Sequence, residues 1–190
     1  VEGDGEALGD LLVRYRERLL RVVAFRMDGR LRGRIDPADV VQEAYLEAAG
    51  RFQDYRQDPK MPFFLWLRFL TVQKLLQLHR HHLGYQIRDA GREVSLYSGP
   101  LPEATSAVLA AQLLGRQTTP SQAAVRAEMK LRLQEALNGM SGIDREVLAL
   151  RHFEQLTNTE TAKILGLSDS AASNRYVRAV KRLKQIMDET

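Results

Sequence analysis

The chain has 190 residues, 44% of them apolar, and a formal net charge of +4, enough for one large or two small domains with a hydrophobic core. It has no cysteine, which excludes disulfides, thiolate chemistry and cysteine-based zinc sites, and the absence fits a reducing cytosol. The mild basic excess, with a pI of about 9.5, permits a nucleic-acid partner without requiring one. No stretch alternates apolar and polar residues over a strand's length. Helical spacing dominates, so an all-α fold is expected.

The acidic start, VEGDGEALGD, does not open on Met and reads as a trimmed end without a secretion signal. Leu8, Leu11, Leu12, Tyr15, Leu19, Val22 and Val23 then recur at helical intervals and predict a first helix over 8–27. MDGRLRGR, with two glycines, ends it. A second helix opens at DPAD, where Asp36 suits the N-cap, Pro37 the first helical position and Asp39 the positive end of the dipole. Its end is expected near Gly50, leaving RFQDYRQDPKMP as a loop. A third helix is expected over 63–82. Its apolar run, PFFLWLRFLTVQKLLQL, is broken by Arg68, Gln73 and Lys74 and is too short to span a bilayer. It reads as a buried core helix, and no membrane insertion is expected.

The middle changes character. Residues 96–122, LYSGPLPEATSAVLAAQLLGRQTTPSQ, hold three of the six prolines and read as a linker with one short helix over 104–114. Two small helical domains are therefore expected, 1–95 and 123–190. In the second, Ser141 with Asp144 resembles a capping box and Thr157 with Glu160 is a clear one.

The segment after Thr157, TNTETAKILGLSDSAASNRYVRAVKRL, reads as two helices meeting at Gly166. Ala162 supplies the small residue needed where the helices cross, and Gly166 the tolerance of positive φ that a tight turn needs. Leu167 fills the space under the turn and Ser168 caps the second helix. At 100° per residue, Ala172, Tyr176, Ala179 and Leu183 share one face, expected to be buried. The opposite face carries Ser170, Ser173, Asn174, Val177, Arg178 and Lys181, flanked by Arg175 and Arg182. Hydroxyl, amide and guanidinium groups so arranged suit base edges and phosphates in a major groove. A solvated basic surface helix is the bland alternative. The agreement of cap, Ala162, Gly166 and face separation favours DNA.

Two further stretches make a resemblance specific. ALNGMSGIDREVLALRHFEQLTNTETAKILGLSDSAASNRYVRAVKRLKQ resembles region 4 of bacterial sigma factors of the extracytoplasmic-function type, and RIDPADVVQEAYLEAAGRF with FFLWLRFL resembles their region 2. RGRIDPADVVQE and TTPSQAAVRAE look most like planctomycete members. The resemblance implies a non-enzymatic, cytoplasmic initiation factor that binds core RNA polymerase and brings it to promoter DNA. Region 4 would read the −35 element as duplex, placing Ser170, Ser173, Asn174, Arg175, Val177, Arg178 and Lys181 at the DNA. Region 2 would dock on the polymerase through the helix opened by Asp36. There Val41, Ala44, Tyr45 and Ala48 form the buried stripe, and Leu46 stands on the far side among Asp39, Gln42, Glu43 and Glu47. Region 2 would also capture the melted −10 strand with Tyr55, Arg56 and Lys60 of the loop 52–62, and with Trp66, Gln73, Gln77 and Arg80 on one face of the third helix. Trp66 reads equally as a core aromatic.

The sequence departs from the family at Gln73 and Gln77, where relatives often carry Asn and Asp, and at Ser170-Ala171-Ala172, where they often carry Gly-Thr-Val. Many relatives are held inactive by an anti-sigma partner. His79, His81 and His82 carry no clear third ligand type for a metal, and with Arg80 they are expected near the strand-binding surface. No phosphate-cradling glycine motif or nucleophile elbow is present, so no cofactor and no catalysis are expected. Two other readings fit parts of the pattern: a stand-alone helix-turn-helix regulator, and a sigma relative that binds polymerase or a regulator without initiating.

Overall fold

The computed structural model describes residues 2–83, 106–114 and 123–188. All elements among them are helical, and they fall into two compact units, 1–102 and 103–190.

The first unit contains α1 (Glu2–Arg26), α2 (Pro37–Gln57) and α3 (Phe63–Leu83), each packed on the other two. The stripe foreseen on α1 is fully buried at Leu8, Leu19, Val22 and Val23 and half-buried at Leu11, Leu12 and Tyr15. It meets Val40, Val41, Ala44 and Ala48 of α2 and Leu67, Leu70 and Leu75 of α3 in one core. The small alanines let α2 approach closely, and burial of such side chains supplies the drive for packing, about 25 cal/mol per Å². The Tyr45 hydroxyl donates to the Leu12 carbonyl at 2.5 Å, tying α2 to α1, and burial pushes its pKa up to about 12. At the start of α2, Asp36 accepts from the Ala38 N–H at 2.8 Å, the cap expected of it.

Two expectations are corrected here. First, α2 does not end near Gly50. It continues to Gln57, so Phe52, Tyr55 and Arg56 are helical and only the end of the expected loop remains irregular. An isolated glycine costs a helix about 1 kcal/mol, and the contacts of Phe52 and Tyr55 with Phe63 and Trp66 offset it. The helix stops at Asp58, directly before Pro59, because the residue before a proline is driven from helical geometry. Second, His79 is not on the surface. It is 2% exposed, and its Nε2 accepts from the Asp28 N–H at 3.2 Å, which fastens the α1–α2 loop to the end of α3.

The second unit contains α4 (Ser106–Leu113), α5 (Ala123–Asn138), α6 (Gly142–Leu148), α7 (Asn158–Leu165) and α8 (Asp169–Asp188). The short helix α4 packs on α5 through the buried Leu109 and Ala110. The rest of the expected linker, 96–105 and 115–122, lies outside the described residues. Arg145 donates to the carbonyls of Leu137 at 3.2 Å and Met140 at 2.8 Å, satisfying the end of α5. α6 widens into a π turn at Ala149–Phe153, and Gln155 follows at φ 56°. Leu133, Leu137, Val147, Leu150, Leu156, Ile164, Ala172, Ala179 and Leu183 make the core.

Candidate nucleic-acid interface

The turn between α7 and α8 is built from its caps. The Thr157 Oγ1 accepts from the Glu160 N–H at 3.1 Å, and the Glu160 carboxylate accepts from the Thr157 N–H at 2.8 Å, a complete capping box. Gly166 ends α7 at φ 63° and ψ 34°, the left-handed conformation that glycine reaches without strain. The Leu167 N–H then turns back to the Ala162 carbonyl at 2.9 Å. Ser168 caps α8, its Oγ accepting from the Ala171 N–H at 3.2 Å. A latch that the sequence did not reveal closes the corner: Asn158 Nδ2 donates to the Asp169 carbonyl at 2.7 Å and Thr159 Oγ1 to the Asp169 carboxylate at 2.9 Å. Together these bonds fix the direction in which α8 leaves the unit.

The faces of α8 separate as its periodicity requires. Ala172, Ala179 and Leu183 are buried and Tyr176 half-buried. Ser170, Ser173, Asn174, Val177, Arg178 and Lys181 are exposed, Val177 by 45%. One member of the expected reading set behaves differently. Arg175 is half-buried, and its Nη1 holds the Asp144 carboxylate at 2.8 Å. Burial alone would raise the Asp144 pKa. Hydrogen bonds from Arg175 and Ser141 and the charges of Arg175 and Arg178 outweigh it, and the carboxyl is held below its usual range. The box at Ser141 is thus half made. Ser141 Oγ accepts from the Asp144 N–H at 3.3 Å, while the Asp144 side chain turns to α8. Arg182, the other expected flank, lies against Gly139, where a Cβ would stand 2.6 Å from its Nη2.

In the first unit, Asp39, Gln42, Glu43 and Leu46 stand together on the outer face of α2, Leu46 exposed by 70%. Glu47 is half-buried at the edge of that face and paired within the unit, to Lys74 at 3.2 Å and Arg51 at 3.0 Å. At the junction of α2 and α3 the rings of Tyr55 and Trp66 stack at 4.5 Å and 22°, with Phe63 edge-on to Tyr55 at 5.6 Å. The Tyr55 hydroxyl donates to the Met61 carbonyl at 2.8 Å, bracing the connection, and burial raises its pKa. Trp66 is half-buried, with Tyr55 covering one face. Along the same side of α3, Gln73 is half-buried and Gln77 and Arg80 are exposed, while Arg56 and Lys60 are exposed near the α2–α3 junction. Among the described residues no cluster of His, Asp or Glu is arranged to hold a metal ion, and no helix is long and apolar enough to cross a membrane.

A tight turn delivering a helix with a polar, basic outer face defines a helix-turn-helix protein, here joined to a separate three-helix unit. A family model described as sigma-70, region 4 matches residues 130–183, which include the turn and the exposed face of α8. Across both units the chain is 30% identical over 184 residues to the ECF RNA polymerase sigma factor SigD of Mycobacterium tuberculosis, covering 97% of this chain and 78% of that protein. It is 28% identical over 187 residues to the RNA polymerase sigma factor CnrH of Cupriavidus metallidurans, covering 98% and 89%. The chain belongs to the extracytoplasmic-function (ECF) sigma factors, proteins of transcription initiation that work with RNA polymerase. A solved structure of CnrH in complex with the cytosolic domain of CnrY shares the fold, with a TM-score of 0.51 and 24% identity over 99% of this chain and 92% of that one.

Proposed function

We propose that this chain directs core RNA polymerase to two-part promoters. The exposed face of α8 reads the −35 duplex through Ser170, Ser173, Asn174, Val177, Arg178 and Lys181. Arg175, which spacing alone puts in that set, acts chiefly by holding α8 against α6 through Asp144. The outer face of α2, with Leu46 among Asp39, Gln42 and Glu43, docks on the polymerase, and Glu47 contributes from its edge. Tyr55, Arg56, Lys60, Trp66, Gln73, Gln77 and Arg80 take the melted −10 strand. The chain performs no catalysis; the polymerase does the chemistry, and the complex works in the cytoplasm. The planctomycete likeness of RGRIDPADVVQE and TTPSQAAVRAE belongs to this reading alone. Since the relative CnrH is solved in complex with the cytosolic domain of CnrY, a protein that sequesters this chain is part of the reading too.

The observation that carries the proposal is the separated face of α8, locked by the Gly166 turn, in a chain whose likeness to sigma factors spans both units. The test is reconstituted transcription. The purified chain is mixed with bacterial core polymerase and fragmented genomic DNA, and transcript 5′ ends are sequenced. Discrete starts preceded by a common two-part motif are expected. Polymerase binding without specific starts would instead leave a non-initiating sigma relative, and DNA binding alone a stand-alone regulator.

A further inference from the structure

The loop between α1 and α2 carries a charge pattern that the proposed function does not use. Residues 27–36, MDGRLRGRID, hold three arginines and two acids. Arg30, Arg32 and Arg34 are exposed. Backbone turns fix the loop: Leu31 N–H bonds the Asp28 carbonyl at 3.0 Å, Arg34 N–H and Ile35 N–H bond the Leu31 carbonyl at 3.0 and 3.1 Å, and Leu31 is buried beneath. Gly33, at φ 93°, permits the reversal. Arg30 pairs with Asp28 at 2.9 Å, and Arg32 donates to the Ala24 carbonyl at 3.2 Å, which steadies both stems. The bond from Asp28 N–H to His79 places this loop at the C-terminal end of α3. There Arg80, His81 and His82 are all exposed. The other nearby carboxylates, Asp36 and Asp39, are set against the positive end of α2.

We infer that Arg32 and Arg34 form a second DNA contact of the first unit, one that binds backbone phosphates of duplex DNA and carries no base preference. Arginine forks suit phosphate oxygens, and a turn-fixed loop presents them with little ordering cost. The distribution of aromatic residues separates this contact from strand capture. The stacked pair Tyr55 and Trp66 lies at the opposite end of α3, where unpaired bases need ring faces. The loop offers cations and no Phe, Tyr or Trp, the composition of a contact that positions DNA rather than one that reads it. From Trp66 to Arg80 the helix rises about 21 Å, or about six base pairs of duplex at 3.4 Å each. A duplex flank beside the captured strand would therefore reach the patch.

The inference rests on the promoter-directing function proposed above, and holoenzyme binding tests the two separately. Wild-type chain and the double variant Arg32→Gln with Arg34→Gln are each assembled with core polymerase. Promoter affinity is then measured from 50 to 200 mM salt. The variant is expected to show a slope of log affinity against log salt shallower by about 1–2, since each duplex phosphate contact contributes about 0.9. It should weaken by the same factor on promoters of different −10 sequence, and Arg32→Lys with Arg34→Lys should restore most of the slope. A double variant with the wild-type slope overturns this contact and leaves the promoter function standing. A wild-type holoenzyme that forms no promoter complex overturns both. If the double variant fails to assemble, Arg34→Cys carrying a tethered iron chelate serves instead, as the chain has no other thiol. Cleavage of both strands of flanking duplex supports the contact, and no cleavage there overturns it.

Discussion

Arg175 and Arg178 stand three residues apart on α8, both basic and both near its outer face, yet they do different work. Arg178 is exposed, while Arg175 is turned to Asp144. Replacing Arg178 with Ala should weaken −35 binding by about 1–3 kcal/mol if it meets a base edge, as gel-shift titration of holoenzyme would show; an unchanged affinity would remove it from the reading face. Asp144→Ala should instead cost about 0.5–1.5 kcal/mol of stability in urea melts, the worth of a part-buried hydrogen bond, with base preference retained. The difference was not legible from spacing alone. Periodicity put Arg175 at the flank of the exposed face, but its partner lies 31 residues earlier, in a helix whose approach to α8 no local pattern records. The serine, asparagine and valine positions were legible because exposure follows from angle alone once Ala172, Ala179 and Leu183 are buried.

Among the elements, α2 shows where local signals mislead. Its start was readable to the residue, because Asp36, Pro37 and Asp39 each satisfy a separate requirement of a helix N-terminus. Its end is not legible locally, because Gly50 resembles a stop while the aromatic contacts of Phe52 and Tyr55 carry the helix past it. Gly50 has helical neighbours, no positive φ and nothing within 4 Å of a Cβ. Gly50→Ala should therefore stabilise the first unit by about 0.5–1 kcal/mol, seen as a raised melting temperature. Gly166 has the same empty surroundings but φ 63°, so Gly166→Ala should destabilise the second unit and misdirect α8. If both alanines stabilised, the left-handed turn at Gly166 would not be a requirement of the corner. The outer face of α2 gives a third test at this scale. Leu46→Glu removes an apolar side chain that is 70% exposed, so the fold should persist while polymerase binding weakens. Undiminished binding would sink the docking assignment.

At the scale of the whole molecule, the two units differ in how they meet acid. In the first, the fold uses a neutral His79 as an acceptor for Asp28 N–H. Burial lowers its pKa below the usual 6.5, the nearby Asp28 charge pulls the other way, and Arg30 lowers it further. A lowered histidine pKa means that the unfolded chain takes the proton first. Its contribution to stability is full above pH 6.5 and declines as pH falls from there through the lower folded value. In the second unit the corresponding group is Asp144, whose contribution holds until pH falls below the usual carboxyl value of 3.8 toward its own lower one. Between pH 7.5 and 5, then, His79 weakens the first unit while the Asp144 link in the second keeps its strength. The single tryptophan, Trp66, lies in the first unit, so its fluorescence reports that unit alone. Thermal melts followed by Trp66 should shift downward across this range, and His79→Gln, which keeps an acceptor but cannot titrate, should flatten the shift. A wild-type melt that does not move with pH, or a His79→Gln melt that moves as much as wild type, would show that the fastening of the loop to α3 does not depend on the neutral imidazole.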